Sequence, residues 1–140
     1  MEATVLLADW AEAINGKLYI QGAGWNQFNA AGPVRCALAI LSTVGWNEAN
    51  QKHRATIRLL DPDGRAVEAE PGNPVVLETE FEVGRPAGVQ EGADLPVPLA
   101  VNFQIPLPPG RYRFALEIDD EPVGSGAPFD VAVGLPTQPG

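Results

Sequence analysis

The sequence predicts an all-β protein: a two-sheet antiparallel β-sandwich of immunoglobulin-like type, with about eight strands and at most one short helical turn. Three observations carry this reading. Residues 95–123 hold two alternating runs joined by a proline-glycine turn. Val97, Leu99, Val101, Phe103 and Ile105 fall at every second position in the first, and Tyr112, Phe114, Leu116 and Ile118 in the second. A period of two buries one face and wets the other, as in antiparallel sheets. Fifteen glycines and fourteen prolines are scattered between apolar runs, so they read as turns and not as a disordered block. Finally, Pro109-Gly110-Arg111-Tyr112 opens a strand as a tyrosine corner does. Tyr112 is therefore a structural candidate, its hydroxyl expected to bond near Leu107 or Pro108.

Taken in order, residues 4–14 and 17–28 flank Asn15-Gly16, a dipeptide suited to the positive φ angles of a two-residue hairpin turn. Gly22 and Gly24 interrupt the second arm and mark either a bulge or a close approach. They do not complete a dinucleotide fingerprint, because Gln27 stands where the last glycine would be. A turn is expected at 29–33. Residues 34–44, VRCALAILSTV, are apolar on both faces, as in a central strand or one at the middle of an interface. Residues 46–51 suit one helical turn, and 53–61 alternate again. Asp61-Pro62-Asp63-Gly64 is a turn by composition. A short strand is expected at 65–68 and a longer one at 75–83, before a polar loop at 84–94. After the central pair come an acidic turn at 119–121, a last short strand at 128–133, and a flexible tail at 135–140. Residues 1–134 form one domain.

Net charge is −9, which disfavours nucleic acid and anionic membranes, since both call for clustered Lys and Arg. The longest apolar run, 36–41, is far short of the ~20 residues that span a bilayer. The start reads as no secretory signal, and Cys36 is the one cysteine, so the expected compartment is the reducing cytoplasm.

Catalytic chemistry is thinly supplied. Ser42 and Ser125 are the serines and His53 the one histidine. His53 is read as solvent-exposed and Cys36 as a buried small hydrophobe. Glu78, Glu80 and Glu82 are read as a wet strand face, paired across strands with Arg54, Arg58, Arg111 and Arg113. Asp61 and Asp63 with Asp119, Asp120 and Glu121 make a weak calcium pattern. No catalytic residue, cofactor or metal ligand is assigned. Trp10, Trp25 and Trp46 are the functional lead: they either cluster in the core or mark a contact or ligand patch, because tryptophan is enriched in binding hot spots.

Four segments, LLADWAEAINGKLYIQGAGW, WNEANQKHRATIRLLDPDG, VVLETEFEVGRP and LPVPLAVNFQIPLPPGRYRFALEID, together span about residues 4–119. On these the chain resembles a family of small, uncharacterised bacterial proteins, a domain of unknown function. The resemblance implies a recurrent cytoplasmic single domain and no activity. The residues favour a non-enzymatic sandwich that acts through protein contact, as an adaptor, an assembly subunit or a homo-oligomer. The alternative is a small-molecule or carbohydrate binding module using loops at one end of the sandwich, and a metal-assisted hydrolase comes third.

Overall fold

A computed structural model describes residues 1–29 and 33–133. Most of the turn expected at 29–33 and the tail at 135–140 lie outside the described residues. Among the described residues the chain is all-β, with one 3-10 turn at Trp46–Glu48. The strands in order are β1 (Glu2–Ile14), β2 (Lys17–Ala23), β3 (Gln27–Asn29), β4 (Val34–Val44), β5 (Lys52–Leu60) and β6 (Glu68–Glu70). They continue with β7 (Asn73–Pro74), β8 (Val76–Glu82), β9 (Leu95–Ile105), β10 (Gly110–Ile118) and β11 (Glu121–Ala132). One sheet has the order β2-β1-β4-β9 and a second β3-β11-β10-β5-β8, while β6 and β7 form a small ribbon.

The alternation of the sequence is what fills the core. Cys36, Leu38 and Ile40 of β4 share one buried cluster with Ala55, Ile57 and Leu59 of β5 and with Phe114, Leu116 and Ile118 of β10. The inward faces of both sheets therefore contribute to a single core. Aromatic rings bridge it: Phe103 of β9 meets Phe114 of β10 edge-on at 5.0 Å, and Phe114 stacks on Phe129 of β11 at 5.3 Å. Each such buried ring contributes roughly 1.5–3 kcal/mol.

Two elements depart from the expected boundaries, and glycines explain both. Residues 17–28 are not one arm. β2 pairs with β1, whereas β3 pairs in parallel with β11 of the other sheet. Gly22 and Gly24, at φ 63° and 98°, lie where the chain crosses from one sheet toward the other. The last strand begins at Glu121, well before residue 128. Its first half contains Pro122 and Gly124-Ser125-Gly126, which read locally as a turn. In fact Phe114 pairs with Ala127 and Leu116 with Val123, so three residues bulge opposite Ala115 alone. Such a bulge bends the strand without ending it.

The remaining elements follow the pattern closely. Asn15 and Gly16, at φ 51° and 75°, form the tight β1–β2 turn. Asp119 and Asp120 take the same left-handed conformation between β10 and β11. The short strand expected at 65–68 lies slightly later, as the β6–β7 ribbon. The Tyr112 ring is buried, and its hydroxyl donates to the Pro108 carbonyl at 2.6 Å.

Candidate functional site

β1 changes partner half-way along its length. Residues Glu2 to Ala8 pair with β4, and Ala8 to Ile14 pair with β2. At the changeover Asp9 lies against Gly22, where a Cβ would overlap the carboxylate. The distal half of β1 and all of β2 then form a two-stranded arm. Ala8, Ala11, Ala37 and Ala39 make a second buried cluster, with Leu18 and Ala100 packed on it. Small side chains permit this close approach, and the Asn102 amide fixes it. Asn102 of β9 accepts from the Ala11 N–H at 3.2 Å and donates to the Ala11 carbonyl at 2.7 Å. The amide thus stands in for a strand partner that β1 has left.

This arm accounts for the two-sided apolar pattern of β4. One face is core, and on the other Ala37 and Ala39 lie beneath the chain's own arm while Leu41 stays 47% exposed. Also exposed is the arm's far side. The register places Trp10 opposite Gln21, Glu12 opposite Tyr19 and Ile14 opposite Lys17. These six residues share one face. Trp10 is 46% exposed, Ile14 45% and Tyr19 54%, around a depression of about 400 Å³. The Trp10 indole donates to Glu12 Oε1 at 3.0 Å, which holds the ring over the face. The outer edge of β2 has no neighbouring strand among the described residues.

The three tryptophans do not cluster in the core. Trp25 caps one end of the aromatic row, 4.3 Å edge-on from Phe28, and its indole donates to the Gly22 carbonyl at 2.7 Å. Trp46 sits on the 3-10 turn beneath the Arg85 guanidinium, which lies 4.6 Å from the ring centroid and donates to the Trp46 carbonyl. That contact ties the start of the 84–94 loop to the turn. Only Trp10 of the three presents its ring broadly to solvent.

His53 is not exposed; it is 5% accessible. Nδ1 lies 2.6 Å from Asp119 Oδ2, and Nε2 lies 2.7 Å from the Glu48 carbonyl. Both neighbours accept, so the ring meets both contacts only when it carries two protons. Burial opposes that charge, but the bonds to Asp119 and Glu48 outweigh it and hold the His53 pKa above its ordinary value. Asp119 is held below the usual carboxylate range by the His53 bond and by the Arg54 N–H. With both nitrogens occupied, His53 has none free to activate a serine. Ser42 is buried and donates to the Val97 carbonyl at 2.9 Å. Burial pushes the Cys36 thiol up to about 12, far from a reactive thiolate.

The acidic turns stand at opposite ends of β5. Asp119 bonds to Arg54 near its start, while Asp61 follows its end. Arg54 and Asp61 are seven residues apart along the extended chain, which separates the two turns by roughly 23 Å. They cannot share one cation. Asp61 Oδ1 instead accepts from the Asp63 and Arg65 N–H groups at 2.9 Å. No group of three or more His, Cys, Asp or Glu among the described residues is placed to hold a metal. On the outward face of the second sheet, three of the arginines choose other partners than Glu78, Glu80 and Glu82. Arg54 pairs with Asp120, Arg58 with Glu117 and Arg111 with Asp130.

A family of unknown function, DUF6941, matches residues 3–132. The chain belongs to that family. No curated protein matches it. The DUF6941 match runs from the start of β1 to the end of β11, so the arm, the core and the His53–Asp119 pair all lie inside it. No helix of the described residues is long and apolar enough to cross a membrane. Sequence reasoning named Trp10 but missed its companions Ile14 and Tyr19. The readable signal was the Asn15-Gly16 hairpin, whose register puts these residues on one face.

Proposed function

We propose that this chain is a non-enzymatic, immunoglobulin-like β-sandwich that works through protein contact at the outer face of the β1–β2 arm. The Trp10–Ile14–Tyr19 platform is the observation that carries this reading, because monomeric surfaces seldom gather large apolar groups on one face. The first occupant we assign is a second copy of the chain. The whole molecule carries −9, which would oppose self-association, but this face carries only Glu12 and Lys17, whose charges cancel. Beside it lies the open edge of β2, a ready surface for strand pairing.

The immunoglobulin-like assignment draws support from strand order and from one side chain. β1-β4-β9 follows the A-B-E order of one immunoglobulin sheet, and β11-β10-β5-β8 the G-F-C-C′ order of the other. The Tyr112 bond to Pro108 sits at the start of the strand in the F position, where a tyrosine corner belongs. The buried free Cys36 suits a reducing compartment such as the cytoplasm.

A variant with Trp25→Phe and Trp46→Phe leaves Trp10 as the reporter. Its emission is expected to shift to the blue as protein concentration rises. Emission that stays red and unchanged throughout would contradict contact at this face. A second reading, a sugar platform, is favoured by Glu12 and Gln21 beside the two aromatic rings. It requires quenching of the same reporter by added saccharide at fixed protein concentration.

A further inference from the structure

The outward face of the second sheet carries four arginines in neighbouring rows, and three of them are neutralised. Arg54 meets Asp120 at 2.7 Å, Arg58 meets Glu117 at 2.7 Å and Arg111 meets Asp130 at 2.9 Å. Arg113 has no carboxylate partner among the described residues. Its cross-strand neighbours are Leu60 and Pro128, neither of which has a side-chain acceptor. Beside it the sheet is hollow. Ala115, the smallest residue in that row, forms the floor, and the Gly124-Ser125-Gly126 bulge of β11 forms one wall. The depression measures about 230 Å³ and is flanked by Arg58, Arg113, Glu117, Pro122 and Ser125.

The bulge is a fixed feature. Gly124 and Gly126 hold φ angles of 73° and 78°. A Cβ on the first would lie 2.8 Å from the Ala3 carbonyl, and one on the second would overlap the Phe114 carbonyl. The backbone is therefore pressed into place from both sides, with the exposed Ser125 hydroxyl between. Where a bulge interrupts a ladder its backbone N–H groups are released from strand pairing. Turns of this kind can present such groups to an anion.

We propose that this hollow is a binding site for a small anion of phosphate or carboxylate type, with Arg113 as the principal cation and Ser125 as a hydroxyl donor. The ligand supplies the acid that the fourth arginine lacks. Arg58 contributes less, because Glu117 already holds it. A hollow of about 230 Å³ is below the roughly 300–1,000 Å³ of drug-sized sites, which limits the ligand to a small anion or to the charged end of a larger one. The net charge of −9 repels anions at a distance, so affinity must come from these short contacts.

The test is an amide and arginine side-chain NMR titration of the full chain with inorganic phosphate, phenyl phosphate and benzoate, each against sodium chloride at equal ionic strength. Saturable shifts centred on Ser125, Gly126 and the Arg113 Nε–H are expected. Tighter binding of phenyl phosphate than of benzoate assigns a phosphate head, and the reverse assigns a carboxylate. Arg113→Gln should weaken binding about tenfold, the scale of one charge-assisted bond. Arg111→Gln removes the same charge from an already paired arginine and should leave affinity within about twofold. Shifts that chloride reproduces, or equal losses in the two variants, would overturn the proposal.

Discussion

At the scale of single residues, the His53–Asp119 contact shows how the cost of burying a polar group is offset by its partners. Both ring nitrogens face acceptors, and the acceptors favour the imidazolium over the neutral ring. A histidine whose folded pKa is raised contributes stability that is complete below its unfolded value of about 6.5 and is lost as pH rises through the folded value. Asp119, whose folded pKa is lowered, contributes above its unfolded value and loses that contribution as pH falls through the folded value. The pair thus contributes in full between the two unfolded values, about 3.8 for Asp119 and about 6.5 for His53, and declines outside that window. Thermal melts are expected to show a falling midpoint as pH rises above neutrality. His53→Gln should lower stability by about 2 kcal/mol at pH 6 and flatten that dependence. A wild-type midpoint indifferent to pH on the alkaline side would contradict the assignment. The phase of His53 with Ala55, Ile57 and Leu59 points it inward, but the carboxylate that meets it stands 66 residues away on a hairpin turn and could not be read locally. Tyr112 was legible because its corner is local, with donor and acceptor four residues apart. Tyr112→Phe should cost about 1 kcal/mol in denaturant unfolding, and an unchanged midpoint would remove the bond from the account.

At the scale of elements, a continuous apolar run located β4, and alternation located β5, β8, β9 and β10 to within a residue or two, because each has one face in a common core. It failed where a strand keeps its ladder through residues that usually end one. β11 runs through Pro122, Gly124 and Gly126, and β2 gives way to a strand of the other sheet across Gly22 and Gly24. A local reading cannot distinguish a bulge from a turn, since both select glycine at positive φ. The structure separates glycines that are pressed from glycines that are merely bent. Gly126→Ala introduces both a left-handed alanine and an overlap with the Phe114 carbonyl, and should cost about 3 kcal/mol or more. Gly16→Ala meets nothing within 4 Å and should cost only about 1 kcal/mol. Equal losses in urea melts of the two variants would show that the bulge is not held as described.

At the scale of the whole molecule, the arm settles one ambiguity of the sequence and opens another. The apolar pattern of β4 was readable, but which surface covered its second face was not, because covering depends on where β1 leaves the sheet. The chain covers the Ala37–Ala39 part of that face itself with alanines and the Asn102 clamp, and Trp10, Ile14 and Tyr19 stand outward on the arm. Burial inside the fold and exposure on the arm both follow from the change of strand partner at Ala8. The second sheet carries the contrasting surface, ordered rows of charge with one unmatched arginine. On one side lies the partly apolar face to which we assign protein contact, and on the other the polar hollow to which we assign a small anion. The two proposals can fail separately, since Trp10 and Arg113 lie on different sheets.

The most direct measurement is solution mass by light scattering after size exclusion, over roughly a hundredfold range of protein concentration, for the wild type and for Trp10→Ala combined with Tyr19→Ser. Neither residue belongs to a buried cluster, so the variant should keep the wild-type fold and melting temperature. The account predicts a wild-type mass that rises to that of a dimer and a variant that stays monomeric. A wild type monomeric at every concentration, or a dimer that the variant preserves, would contradict contact between copies through the arm.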